Sequence, residues 1–331
     1  MTTIKDVAKL AGVGQGTASR ALSGIGSVSE ESRKAVMDAA RKLSFSPSAT
    51  ARALSNGQSG IIGTLTPTFG GQYFSTALTI AEREIRAAGK HMVVISSAEG
   101  THHAREDVEG ISSLKARGCD GILMLDSRAS ERDLIAATIG GPPIALVNRD
   151  IPSLPEMCFS IDHFDAGRAV GQYLAAKGHK DLAVVGGPLE IEGSKFRYEG
   201  FLAGLAELGV SVNPRLCQHT EFSFEGGRIA ADALIAAGRP FTALFCGSDD
   251  IAIGAKSRLE HAGVRPEIVG YDNLPLHGYI DTVFSSVATP DEEMVRNACA
   301  YLLNKCYGGQ RPIAHRFKAK LVIRDSVDRS R

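Results

Sequence analysis

Thr3-Ile-Lys-Asp-Val-Ala-Lys-Leu-Ala-Gly-Val13, followed at once by Gly14-Gln-Gly-Thr-Ala-Ser-Arg-Ala-Leu22, decides the reading of this chain. Ile4, Val7, Ala8 and Ala11 recur at i, i+3, i+4 and i+7, which puts one apolar stripe on a short helix. Thr3 with Asp6 three residues on supplies a capping-box-like start, and Gly12-Val13 ends the helix. A second short helix is predicted from about Gly14 to Leu22, with Ala18 and Leu22 inward and Gln15, Gly16, Thr17, Ser19 and Arg20 outward. Two short helices across a glycine-containing turn make a helix-turn-helix. A third opens at Ser29 with Glu30 and Glu31 at its positive end and closes with Arg41 and Lys42 at its negative end, burying Val36, Ala39, Ala40 and Leu43.

Residues 1–59 hold eight Lys and Arg against four acids, so the formal net charge of zero divides into a basic end and an acidic remainder. A basic helical end on an acidic body suits docking to nucleic acid. With 331 residues and 44% hydrophobic composition, two or three cores are expected. No run approaches the roughly 18 apolar residues of a membrane span, and the opening has no apolar export segment, so the chain reads as soluble, cytoplasmic and free of membrane contact. Six scattered cysteines without metal-ligand spacing read as reduced thiols, with neither disulfides nor a metal site.

From Gly60 onward short β-rich runs alternate with helical ones, the mark of a parallel sheet with crossover helices. Strands are predicted at Ile61–Leu65, His91–Ser96, Gly121–Leu125 and Ile144–Val147, then at Leu182–Val185, Ala243–Cys246, Ile268–Tyr271 and Val283–Val287. Helices among them include Phe74–Ala88, Phe164–Lys177, Arg197–Leu208, Gly227–Ala237, Ile251–His261 and Glu292–Tyr307. The fold class is therefore α/β: an all-α helix-turn-helix headpiece followed by two doubly wound lobes. Such sheets bind ligands beyond the carboxyl ends of their strands. That rule points to Thr66 to Gly70, Ser96, Ser97, Asp126, Asn148, Arg149, Gly186, Gly187, Phe222, Ser248, Asp249, Tyr271 and Asp272. Asp249 also reads as a helix N-cap.

The opening stretch, with Val28-Ser-Glu-Glu-Ser-Arg33 and Ser46-Pro-Ser-Ala-Thr-Ala-Arg-Ala-Leu54, resembles the lactose- and galactose-repressor (LacI/GalR) family, and the resemblance extends over essentially the whole chain. It implies a headpiece over 1–45, a hinge helix and linker over 46–59, and an effector-binding, dimerising body over 60–327 of periplasmic-binding-protein type. The body's first lobe would be 60–160 plus 290–320, and its second 161–289 plus 321–327. DNA contacts would come from Thr3, Gln15, Gly16, Thr17, Ser19, Arg20, Ala51 and Leu54, the leucine wedged into the minor groove. Glycine at Gly14 and Gly16 departs from the family's common serine start and from a side chain that reads bases. Phe74, Asn148, Arg149, Arg197, Phe222, Ser248 and Asp272 stand at effector positions. Arg197 and Asp272 could bridge hydroxyls, while Phe74 and Phe222 either cover a ring or pack in the core.

The resemblance thus implies a sequence-specific regulator, most simply a repressor, that binds a palindromic operator as a homodimer. A sugar or sugar derivative would control it, with no cofactor and no catalysis, and operator binding would place it on the nucleoid. The loop Leu189-Glu-Ile-Glu-Gly193 lacks the basic residue expected for purines, whereas Arg149 beside Arg197 leaves an anionic sugar open. Two rival readings fail on context. Gly12-x-Gly14-x-Gly16 has no strand before it to make a dinucleotide loop, and His102-His103 diverge on a helix instead of converging on a metal.

Overall fold

The structure is a computed structural model, and it describes residues 2–23, 26–45, 57–97, 104–275 and 284–324. Ala51, Leu54 and His102-His103 lie outside the described residues. The chain divides into two compact units, Met1–Ile61 with Gly118–Asp120, and Ile62–Arg117 with Gly121–Arg331.

The first unit carries α1 (Ile4–Ala11), α2 (Gln15–Ser23) and α3 (Glu30–Lys42). Asp6 accepts hydrogen bonds from the Thr3 N–H and hydroxyl, each at 2.8 Å, and these hold its carboxyl below the usual range. Gly12 ends α1 in the left-handed region, φ 68°, so that the Val13 N–H reaches back to the Ala8 carbonyl at 3.0 Å. Ser29 caps α3 by accepting from the Ser32 N–H. Val7, Ala8, Ala18, Ala21, Val36, Ala39 and Ala40 form the small core, and Leu22 and Leu43 pack at its margin. Ala21 therefore takes the inward place expected of Leu22. At the end of the unit Asp120 receives the Ser59 and Gly60 N–H groups at 2.8 and 2.7 Å.

The second unit is built on two sheets, each six-stranded among the described residues. The first runs in the order β11 (Arg316–Phe317), β5 (Cys158–Ile161), β4 (Ile144–Val147), β3 (Gly121–Leu125), β1 (Ile61–Thr66), β2 (His91–Ser96). The second runs β12 (Lys320–Val322), β10 (Ser285–Ala288), β9 (Glu267–Asp272), β8 (Ala243–Cys246), β6 (Leu182–Gly186), β7 (Cys217–His219). β12 pairs antiparallel with β10, while the inner pairs of both sheets are parallel. The four long first-sheet strands and the inner strands of the second stand where hydrophobic patterning predicts them. β5, β7, β11 and β12 were not predicted; β7, β11 and β12 have only two or three residues, too few for a periodicity to read.

The helices are α4 (Gln72–Ala87), α5 (Ala104–Ala116), α6 (Glu131–Thr138), α7 (His163–Ala176), α8 (Glu192–Ala206), α9 (Phe224–Ala236), α10 (Asp249–His261) and α11 (Asp291–Tyr307). α11 leaves the second sheet after β10 and packs on α4 and on β3 to β5, so it belongs to the first lobe. The chain thus passes between the lobes after β5, after β10 and between β11 and β12. The last passage spans residues 318–319, just ahead of the Leu321 that the family resemblance implies.

α7 and α8 touch backbone to backbone. A Cβ at Gly167 would collide with the Arg197 carbonyl oxygen, and one at Gly200 with that of Phe164. α9 and α10 repeat the arrangement through Gly227 and Gly254. Small residues at these crossings bring the helix axes close and fix the start of α8 against α7. Among the described residues no helix is long and apolar enough to cross a membrane. All six cysteines are free, four of them buried.

Candidate functional site

On α2 the packing sorts residues by face. Ala18 and Ala21 are buried, Thr17 and Ser19 half-buried, and Gln15, Gly16 and Arg20 exposed, as is Thr3 ahead of α1. Six of the eight sequence-predicted DNA residues therefore lie on the surface or at its margin. Gly14 and Gly16 have ordinary backbone conformations and open space where a Cβ would stand, so the fold itself does not demand glycine at either position.

In the second unit a cavity of about 250 Å³ opens at the carboxyl ends of the strands of both lobes. Phe74, Asn148, Arg197, Phe222, Ser248 and Asp272 all line it, with Thr68, Gly70, Gly71, Tyr73, Asp126, Ile191, Gly193, Ser194 and Asp250 completing the wall. Arg149 does not. Its guanidinium turns to Glu192, Nη1 to Oε2 3.4 Å, so Arg149 does not join Arg197 in the arrangement that left an anionic sugar open.

Asp126 and Asn148 follow directly on β3 and β4, and Asp272 is the last residue of β9, with φ of 57°, 65° and 97°. Non-glycine residues rarely hold this conformation, and three of them at one cavity mark a constrained site. Arg197, only 7% exposed, is the hub. Its Nη1 donates to the Gly247 carbonyl at 2.8 Å and lies 3.6 Å from Asp272 Oδ1, and its guanidinium covers the Tyr271 ring at 3.9 Å. Burial works against its charge, but Asp272, Tyr271, Asp126 and Tyr73 more than offset that, and the group stays protonated. Burial pushes the Asp272 carboxyl well above the usual range even though Arg197 draws it down.

Behind the hub sits His163, the first residue of α7, which sequence reading passed over. Its Nε2 meets Asn148 Oδ1 at 2.8 Å; its Nδ1 meets the Tyr271 hydroxyl at 2.9 Å and the Arg197 Nε–H at 3.2 Å. Arg197 can only donate, so Nδ1 accepts and the proton lies on Nε2, donated to Asn148. Burial, helped by the Arg197 charge, drives the imidazole pKa well below its ordinary value. The ring is neutral and ties a first-lobe strand end to the second lobe.

Tyr73, Ser194 and Asp250 were also missed, because each lies in the first turn of a helix and not at a strand end. All three leave a buried polar atom without a hydrogen-bond partner: Tyr73 Oη, Ser194 Oγ and Asp250 Oδ1. Buried polar atoms are normally paired, so three facing one cavity point to a polar ligand. The readable signal was the run Ser248-Asp249-Asp250. Ser248, and not the expected Asp249, caps α10 by accepting from the Ile251 N–H at 3.2 Å. Asp249 is instead fully buried and accepts from the Leu274 N–H at 2.8 Å and the Ser286 hydroxyl at 2.7 Å, which frees Asp250 to face the cavity.

A helix-turn-helix unit joined to a two-lobed, cleft-bearing α/β body defines a class, that of ligand-responsive DNA-binding proteins. Comparison with known proteins narrows it. Residues 3–48 match the family described as bacterial regulatory proteins, lacI family, and residues 59–293 match periplasmic binding proteins and sugar binding domain of LacI family. The transcriptional repressor CytR of Escherichia coli K12 is 31% identical over 330 residues, covering 98% of this chain and 96% of its own. A LacI-family regulator from Burkholderia phymatum, 32% identical, superposes with a TM-score of 0.76 over 82% of this chain and all of that one. The Lac repressor dimer bound to operator shares the fold at a TM-score of 0.83 with 22% identity, over 97% of each chain. The chain belongs to the LacI family of transcriptional regulators.

Proposed function

We propose that this protein is a repressor that binds a palindromic operator as a homodimer and changes its grip when a sugar-like polyol enters the cleft. In this reading residues 1–45 form the headpiece, 46–59 the hinge and linker, and 60–327 the effector-binding and dimerising body. Thr3, Gln15, Gly16, Thr17, Ser19 and Arg20 serve the major groove and the phosphates beside it, with Ala51 and Leu54 in the minor groove. The protein works in the cytoplasm on the nucleoid and needs neither cofactor nor catalysis.

The observation that carries the reading is the set of three unpartnered polar atoms in a cleft walled by both lobes, in a chain that also presents the exposed face of α2. A ligand satisfying groups from both lobes binds the closed form more tightly, and differential affinity is what shifts a two-state equilibrium. A coupling of about 1 to 3 kcal/mol is enough for control. Arg197 and Asp272 stand where they can bridge vicinal hydroxyls, and Phe222 and the Tyr73–Phe74 pair, at 5.0 Å and 77°, offer ring faces. The cavity is small against the range of roughly 300–1,000 Å³ common for ligand pockets, which favours a single ring.

The test is selection of operator sequences from random duplexes by the full-length protein, then titration of the best duplex with a polyol panel. Expected are a two-fold symmetric site and at least a fivefold change in affinity with one compound. Failure to enrich any symmetric sequence would overturn the reading.

A further inference from the structure

The cleft wall is richer in acid than recognition of neutral hydroxyls requires. Asp126, Asp250 and Asp272 line it against one guanidinium, that of Arg197, which is already engaged by the Gly247 carbonyl, His163 and Asp272. No other lysine, arginine or histidine is among the lining residues. Arg149, which follows Asn148 in the chain, is held by Glu192. Asp291 at the head of α11 accepts from the Thr289 hydroxyl at 2.8 Å and, with Asp126 and Asp272, adds its negative charge to the field felt by the Tyr73 hydroxyl.

Asp250 is the telling member. Its Oδ1 is buried with no hydrogen-bond partner, and its neighbour Asp249 is a second carboxylate. A place in the first turn of α10 favours negative charge, yet burial and Asp249 still lift its carboxyl to about 6. A neutral hydroxyl would give Oδ1 a donor and leave the buried charge uncompensated. An ammonium group would supply donor and countercharge together, and the ring faces of Tyr73, Phe74 and Phe222 in the same wall also attract cations.

We propose that the effector is a cationic polyol, an amino sugar or amino polyol, whose protonated amine lies at Asp250 while Arg197 and Asp272 take its hydroxyls. This rests on the cleft being the effector site. The amine is held by charge and hydrogen bonding, the hydroxyls by Arg197 and Asp272, and phosphorylated or acidic sugars are repelled.

The test uses matched sets on the full-length protein: glucosamine, galactosamine and mannosamine, their three neutral parents, and glucuronate, galacturonate and glucose 6-phosphate. Calorimetry at pH 7.5 gives Kd for each. Expected is at least one amine that binds tenfold or more tightly than its parent, with Asp250→Asn removing that preference while the fold, checked by circular dichroism, is kept. A neutral parent or an acid binding as tightly as its amine overturns this inference and leaves the effector cleft standing. Silence of every compound, whatever its charge, removes the sugar-effector reading and this inference with it.

Discussion

At the scale of the residue, two buried groups make opposite predictions. Asp250 has its carboxyl raised to about 6 by burial and by Asp249, so the folded state resists its ionisation. A carboxyl raised on folding contributes stability at pH below its unfolded value near 4 and loses it as pH rises through about 6. Asp250→Asn should therefore stabilise the ligand-free protein at pH 7.5, by on the order of 1 kcal/mol once the water still reaching the group is allowed for. The gain should fade toward pH 4.5. Thermal melts of both proteins across that range check it, and a pH-independent difference would remove the argument. His163 has its pKa lowered, so its share of stability is present above the ordinary histidine range and is lost as pH falls below it. Nitrogen-detected NMR should show a neutral Nε2–H ring that stays neutral through the ordinary histidine range.

At the scale of the element, glycines in two helices should behave in opposite ways. Gly16 has open space around it and an ordinary backbone. Gly16→Ala should leave the protein as stable or improve it by a few tenths of a kcal/mol, up to about 1, while changing operator affinity. Urea melts and gel shifts on the same preparations separate the two effects; a loss of stability would mean the position serves the headpiece fold. Gly167 faces the carbonyl oxygen of Arg197 across the α7–α8 crossing. Gly167→Ala should cost about 1 to 3 kcal/mol and weaken effector binding, because α8 must shift and carry the Arg197 guanidinium with it. Normal effector affinity in that variant would show that the crossing does not position the hub. Helix phase told which face of α2 is outward, since burial follows a 3.6-residue repeat. It could not tell that α7 and α8 meet so closely, because glycines only mark contact once the partner is known.

At the scale of the whole molecule, binding to operator should weaken steeply with salt. With about six phosphates neutralised by a dimer, the logarithmic slope should lie near −5. A slope near zero would sink the electrostatic docking of the basic end. Which parts of this were legible follows from the range of the interactions involved. Helix phase, the Thr3 and Ser29 caps, the Gly12 turn and most of the long strands were determined by the sequence alone, since each rests on contacts within a few residues. Of the expected residues that line the cavity, Asn148, Phe222, Ser248 and Asp272 were also marked by the rule that parallel sheets place function at strand ends, whereas Phe74 and Arg197, on helices, came only from the family resemblance. Tertiary structure alone decided that Arg149 turns to Glu192, that Ser248 and not Asp249 caps α10, and that His163 joins Asn148 to Tyr271. It alone brought Tyr73, Ser194 and Asp250 to one cavity. Those outcomes depend on groups far apart in the chain competing for the same donors, acceptors and charges, and only the folded arrangement settles which partner each one meets.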